Sequence, residues 1–213
     1  MKSDPEPAWD DIEAMSRCCE TLGGCEERKD RIEQCRRQGR TFSENFIWHV
    51  MLSISKALMF LHFGKRRPRE HVSHWDPICH MNLHPKNIFL SNEGRSNAHP
   101  RVVLGDFGRS VFKSDIRAGR DRGHVLAHSG WSAPECMARG YAGVRRISDV
   151  RQLAGVCQAL GRFVSIQDHR IGSHSPLGPQ YSTRLNRVVG RMSAHHPRSR
   201  PSSRDIVVDL ERG

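Results

Sequence analysis

The chain has 213 residues, a net charge of +11 and a hydrophobic share of 37%, with a mean hydropathy of −0.61. That length suits one domain with its own core. The most apolar stretch, Phe46 to Phe63, carries His49, Ser53, Ser55, Lys56 and His62, which reads as too polar to span a bilayer.

Residues 1–26 form a charged N-terminal extension, expected to be poorly ordered apart from a short helix around Trp9–Cys19, and Gly23-Gly24 breaks the chain after it. Residues 27–38 are charged and helix-favouring, and Gly39 ends them. Thr41-x-x-Glu44 reads as a capping box for the clearest helix. Its apolar positions Phe46, Ile47, Val50, Ile54, Ala57, Leu58 and Leu61 keep a 3.6-residue period up to Gly64. A basic, Pro-containing loop (65–77) follows. Two short apolar runs, Asn87–Leu90 and Val102–Leu104, flank the turn-forming stretch Ser91–Pro100 and predict a small hairpin. Residues 109–130 are polar, basic and Gly-containing and read as a long loop. From Ala133 onward the pattern is helical: Pro134–Arg139, Ser148–Phe163, Thr183–Ala194 and Ser202–Glu211. The expected fold class is therefore mainly α with a small β-hairpin.

Side-chain chemistry narrows the function classes. The seven cysteines include no Cys-x-x-Cys pair, and no secretory signal is evident, so reduced thiols in the cytoplasm or nucleus are expected. His71, His74, His80 and His84 fall in a predicted loop and lack the helical i, i+4 spacing of a zinc protease. Lys and Arg are scattered in groups such as Lys65-Arg66-Arg67, without interleaved aromatics, so nucleic-acid binding is the weaker reading of the charge.

Five short motifs stand in a telling order. His80-Met81-Asn82-Leu83-His84-Pro85-Lys86-Asn87 resembles the protein-kinase catalytic loop, H-R-D-L-K-P-x-N. Asp106-Phe107-Gly108 resembles the D-F-G turn, and Ala133-Pro134-Glu135 the A-P-E end of an activation segment. Ser148-Asp149-Val150 resembles the start of the family's buried central helix, and His196-Pro197-x-x-Arg200-Pro201 the motif whose Arg pairs with the A-P-E glutamate. Residues 27–211 thus resemble the large, C-terminal lobe of a eukaryotic protein kinase, with a catalytic-loop region at 78–90 and an activation-segment region at 106–135. In detail the likeness is to NIMA-related serine/threonine kinases, fungal ones in particular.

The resemblance implies roles for these residues. Asn82 stands where the family has its catalytic Asp, and His84 where it has a Lys at the transferring phosphate. Met81 replaces the Arg that reads activation-loop phosphate. The substrate-side Thr falls on His128 or, with a one-residue shift, on Ser129. An amide is no base near neutral pH, and losing a general base costs about 10²–10⁴-fold in rate. Asn87 and Asp106 match the Mg²⁺ ligands, so Mg²⁺ and ATP are the implied cofactors. His80, Asp149, Glu135 and Arg200 match structural positions, whereas Arg151 and Ala154 replace the usual aromatic and Gly. No Gly-x-Gly-x-x-Gly or Val-Ala-x-Lys precedes the loop, and the N-terminal lobe is expected to be absent or truncated, leaving ATP binding weak or lost. Three readings follow: a catalytically impaired, pseudokinase-like scaffold for protein partners; an active serine/threonine kinase whose small lobe is missing from the sequence; and a basic nucleic-acid binder reusing the fold.

Overall fold

A computed structural model describes residues 42–91, 100–120, 130–162, 171 and 177–212. The expected N-terminal extension and the helices near Trp9–Cys19 and 27–38 lie outside the described residues.

Helix α1 spans Glu44–Phe63, as its periodicity predicts. The N-cap is Ser43, its hydroxyl accepting from the Phe46 amide at 3.2 Å, which corrects the expected capping box: Glu44 is the first helical residue, and Thr41 lies outside the described residues. Glu44 is engaged elsewhere, accepting from Trp48 Nε1 at 3.0 Å and from the Ser182 amide at 2.7 Å. Gly64 ends the helix at φ 67°, where a Cβ would meet the Trp75 ring at 2.7 Å. Trp75 Nε1 donates to the Leu61 carbonyl at 2.8 Å, closing the C-terminal turn. By length and composition α1 is apolar enough to cross a membrane, contrary to the expectation from its polar residues. Its burial of Phe46, Ile47, Val50, Met51, Ile54, Leu58 and Met59 is that of a core helix, each such side chain contributing about 1.5–3 kcal/mol.

Strand β1 (Ile78–Cys79) leads into the His80–Asn87 loop, which closes in a 3₁₀ turn at Pro85–Asn87. Strands β2 (Ile88–Ser91) and β3 (Arg101–Leu104) form the predicted antiparallel hairpin, with Ile88 opposite Leu104 and Phe89 opposite Val103. The predicted loop over 109–130 needs correction in its first half. Val111–Phe112 is strand β4, paired antiparallel with β1, and Lys113–Arg117 is a short helix, α2. A two-residue strand leaves no periodic signal; tertiary pairing creates it.

The remaining helices are α3 (Pro134–Arg139), α4 (Arg146–Arg162), α5 (Thr183–Met192) and α6 (Ser203–Glu211). The fold is thus mainly α, six α-helices with two small antiparallel sheets among the described residues. α1 packs on α4 and α6, and α4 on α5 and β1. α4 is buried from Ser148 to Gly161, so its polar residues must find partners inside the protein.

Candidate functional site

The buried axis of the site is Asp149, in the first turn of α4 and 0% exposed. Oδ2 accepts from the His80 amide and Oδ1 from the Met81 amide, both at 2.9 Å. Oδ2 also faces His62 Nε2 at 2.9 Å. A carboxylate only accepts, so Nε2 carries the proton. His62 Nδ1 lies 2.9 Å from Ser203 Oγ, which links α6 through α1 to the loop. Gln152, one turn along α4, accepts from the Leu83 amide at 3.1 Å and donates to the Met81 and Trp131 carbonyls. These anchors hold Met81 at φ 63°, a conformation that costs about 1–3 kcal/mol for a non-glycine residue.

Above this anchor the side chains of Asn82, His84, Asn87 and Asp106 meet. Asn82 Nδ2 donates to Asp106 Oδ2 at 2.7 Å. Asn87 Nδ2 donates to the Asn82 carbonyl at 2.7 Å, with longer contacts of 3.3 Å to His84 Nε2 and Asp106 Oδ2. Asp106, at φ 57°, accepts from the Gly108 amide through Oδ1 at 3.2 Å. His80 is fully buried. Its Nε2 donates to the Gly105 carbonyl at 3.0 Å, and Phe107 meets its ring edge-on at 5.0 Å between centroids. His84 is buried and lies edge-on to Trp131 at 6.1 Å. Met81 packs in an apolar cluster with Cys79, Val111, Ala133, Cys136 and Val144, so that position offers no cation to a phosphate.

Asp106 and Asn87 supply one carboxylate and one amide oxygen, since Asn87 Nδ2 is turned to Asn82. Among the described residues no three His, Cys, Asp or Glu side chains converge as metal donors. Mg²⁺ is usually held by one or two carboxylates with substrate phosphates completing its octahedron. The pair therefore fits a nucleotide-borne Mg²⁺ and not a metal held by protein alone. The Asn82 amide already uses one oxygen of Asp106.

At the other end Ala133 is the N-cap of α3 and Pro134 its first residue, where the missing N–H is no loss. Glu135 Oε1 and Oε2 receive Arg200 Nη1 at 2.7 Å and Nη2 at 2.9 Å, and Ser148 Oγ donates to Oε1 at 2.7 Å. Burial raises the Glu135 carboxyl, but the Arg200 and Ser148 hydrogen bonds outweigh it and hold the group below its ordinary value. Arg200 spends its other donors on the Ala194, Ile147 and His195 carbonyls.

No protein-family model matches the chain. It is 23% identical over 189 residues to a probable serine/threonine-protein kinase nek2 of Dictyostelium discoideum, covering 83% of this chain and 40% of that protein. It is 25% identical over 203 residues to the G2-specific protein kinase nimA of Emericella nidulans, covering 83% of this chain and 27% of that protein. The chain is related to the protein kinase superfamily. It spans less than half the length of either relative.

Of the positions predicted for the kinase-like site, Asn82, His84, Asn87 and Asp106 come together. His80 and Asp149 lie beneath them, and Glu135 and Arg200 form a separate pair. Phe107 and Gly108 lie on the Asp106 turn; His128 and Ser129 fall outside the described residues. Sequence reasoning missed His62, Gln152 and Ser203. The signal for His62 was a polar ring in the last turn of an otherwise apolar helix stripe. Arg151 is a further departure. This buried guanidinium donates to the Ser193, Ile171 and Ala194 carbonyls, its Nε has no partner among the described residues, and desolvation, with Arg200 nearby, lowers its pKa to about 10.

Proposed function

We propose that this kinase-like lobe has given up phosphate transfer and acts as a scaffold for protein partners. The observation that carries the reading is the Asn82–Asp106 contact at 2.7 Å. A carboxylate at position 82 would accept the hydrogen of a substrate hydroxyl. The amide there donates instead, and its donor is directed at the carboxylate on which a Mg²⁺-nucleotide would depend. His84 and Met81 add to the case, since neither presents a fixed cation to a phosphate. The anchors at Asp149 and Glu135–Arg200 keep the lobe's shape, which a binding role needs as much as catalysis does.

The partner-binding half of the proposal is supported by exposed apolar side chains. Phe89 and Val103, opposite each other on the hairpin, are 52% and 37% exposed, and Phe107 is 48% exposed. Apolar surface of this kind invites a polypeptide cover.

The test incubates the full chain with Mg²⁺ and γ-labelled ATP and a generic protein substrate. No transfer above that of Asp106→Ala is expected; clear turnover abolished by Asp106→Ala sinks the reading. In sedimentation, self-association or binding of an apolar dye is expected, and a dilute monomer that binds no dye removes the scaffold half. A second reading, active serine/threonine phosphorylation, is favoured by the placement of Asn87 and Asp106, and the same assay decides it.

A further inference from the structure

Acidic and basic residues are unevenly divided along the chain. Residues 1–26 carry seven acidic side chains (Asp4, Glu6, Asp10, Asp11, Glu13, Glu20 and Glu26) against Lys2 and Arg17. With 34 basic and 23 acidic residues in all, the rest of the chain holds 32 basic and 16 acidic ones.

One face of α5 carries part of that excess. Arg184, Arg187 and Arg191 are three and four residues apart, a spacing that puts them on one side of the helix, and all three are exposed. Leu185, Val189 and Met192 are buried on another side. α5 contains no acidic residue, so like charges repel along the face with no counter-charge on the helix itself. Arg184 lies over the Trp48 ring at 5.5 Å. Arg187 and Arg191 make no hydrogen bond or ion pair among the described residues. Glu44 lies near the start of α5 and is already engaged by Ser182 and Trp48.

The described chain begins beside this face. The Phe42 carbonyl accepts from Tyr181 Oη at 3.0 Å, and Tyr181 and Ser182 immediately precede α5. A tether from Phe42 back to Glu26 reaches about 50 Å when extended, against a helix length of about 15 Å for α5.

We infer that the Arg184–Arg187–Arg191 face of α5 is the docking site of the chain's own acidic segment, residues 4–26. The attraction is intramolecular, so the local concentration of carboxylates is in the millimolar range, and salt screens it. The segment masks the face, and an acidic partner reaches α5 only by displacing it. This inference is independent of whether the lobe transfers phosphate.

The experiment measures binding of a fluorescein-labelled decaglutamate peptide to the full chain by anisotropy at about 50 mM salt, where charge contacts are least screened. Replacing Asp10→Asn, Asp11→Asn, Glu13→Gln and Glu20→Gln together is expected to tighten peptide binding about tenfold by removing the internal competitor. Adding Arg187→Ser and Arg191→Ser to that chain is expected to abolish the gain, as is about 0.5 M salt. Equal binding by the native and neutralised chains overturns the proposal and leaves α5 open to acidic segments of other molecules. A gain that survives loss of Arg187 and Arg191 also overturns it, by placing the basic site elsewhere. Both arginines are exposed, so unchanged circular dichroism and Tm separate loss of binding from loss of fold.

Discussion

Two sets of polar groups around the His80–Asn87 loop are built to different standards. Below the loop, Asp149 meets two backbone amides and His62, all at 2.9 Å and all buried, and Glu135 meets Arg200 through two contacts with Ser148 closing the set. Above it, one exposed carboxylate, Asp106, faces two amide side chains. In the lower set each carboxylate is held by several hydrogen bonds, and that of Glu135 also meets the Arg200 charge. The upper groups pair one carboxylate with neutral amide donors. Burial enforces the pairing of the lower set, whereas the exposed upper carboxylate can also be solvated.

The largest expected effect tests the lower set. Asp149→Ala strands two buried amides and the His62 ring, and should cost about 3–5 kcal/mol. Asp106→Ala, at an exposed position, should cost about 1 kcal/mol or less. Urea denaturation of both variants measures the contrast, and equal losses would break it.

Next is the Glu135–Arg200 pair. Single alanine variants should be non-additive in a double-mutant cycle, with a coupling of about 1–3 kcal/mol. The Glu135 carboxyl is held below its ordinary value in the folded state. Its contribution is therefore present above the unfolded pKa, about 4.3, and is lost as pH falls through the lower folded value. Glu135→Gln should flatten the acid limb of a Tm–pH curve, and an unchanged acid limb would remove this group from the account.

A comparable effect comes from Gly143, where a Cβ would stand 1.9 Å from the Glu135 carbonyl oxygen. Gly143→Ala should cost about 1–3 kcal/mol through backbone displacement, readable as a shift in denaturation midpoint. The smallest probes the upper set. Asn82→Asp sets two carboxylates together, which raises the pKa of one and should cost about 1 kcal/mol without metal. About 10 mM Mg²⁺ should recover Tm in this variant and leave the native chain unmoved. Equal Mg²⁺ stabilisation of both chains would show that Asn82 does not decide metal affinity.

Much of the fold was readable locally. Apolar positions in α1 recur every three to four residues, and Gly64 stops the helix because only its φ of 67° lets the chain turn under Trp75. The hairpin was legible from a turn-rich segment between two apolar runs. β1–β4 was not, because its partners Ile78 and Phe112 are distant in sequence and each strand is too short for a period. Within the site, the residue types at 82, 84, 87 and 106 were legible, whereas the direction of the Asn82 amide was not. His62 was passed over because a histidine on an apolar helix carries no mark of its partner.

The order of motifs, the helix stripes and the amide at Asn82 belong to the sequence alone, because residue identity fixes which atoms donate, accept or ionise. Tertiary structure decided the rest. It placed Asp149 under the loop, packed Met81 into an apolar cluster, directed the Asn82 amide onto Asp106 and brought Phe42 beside Tyr181. Each of these joins groups far apart in the chain, and only burial in a common core fixes such contacts.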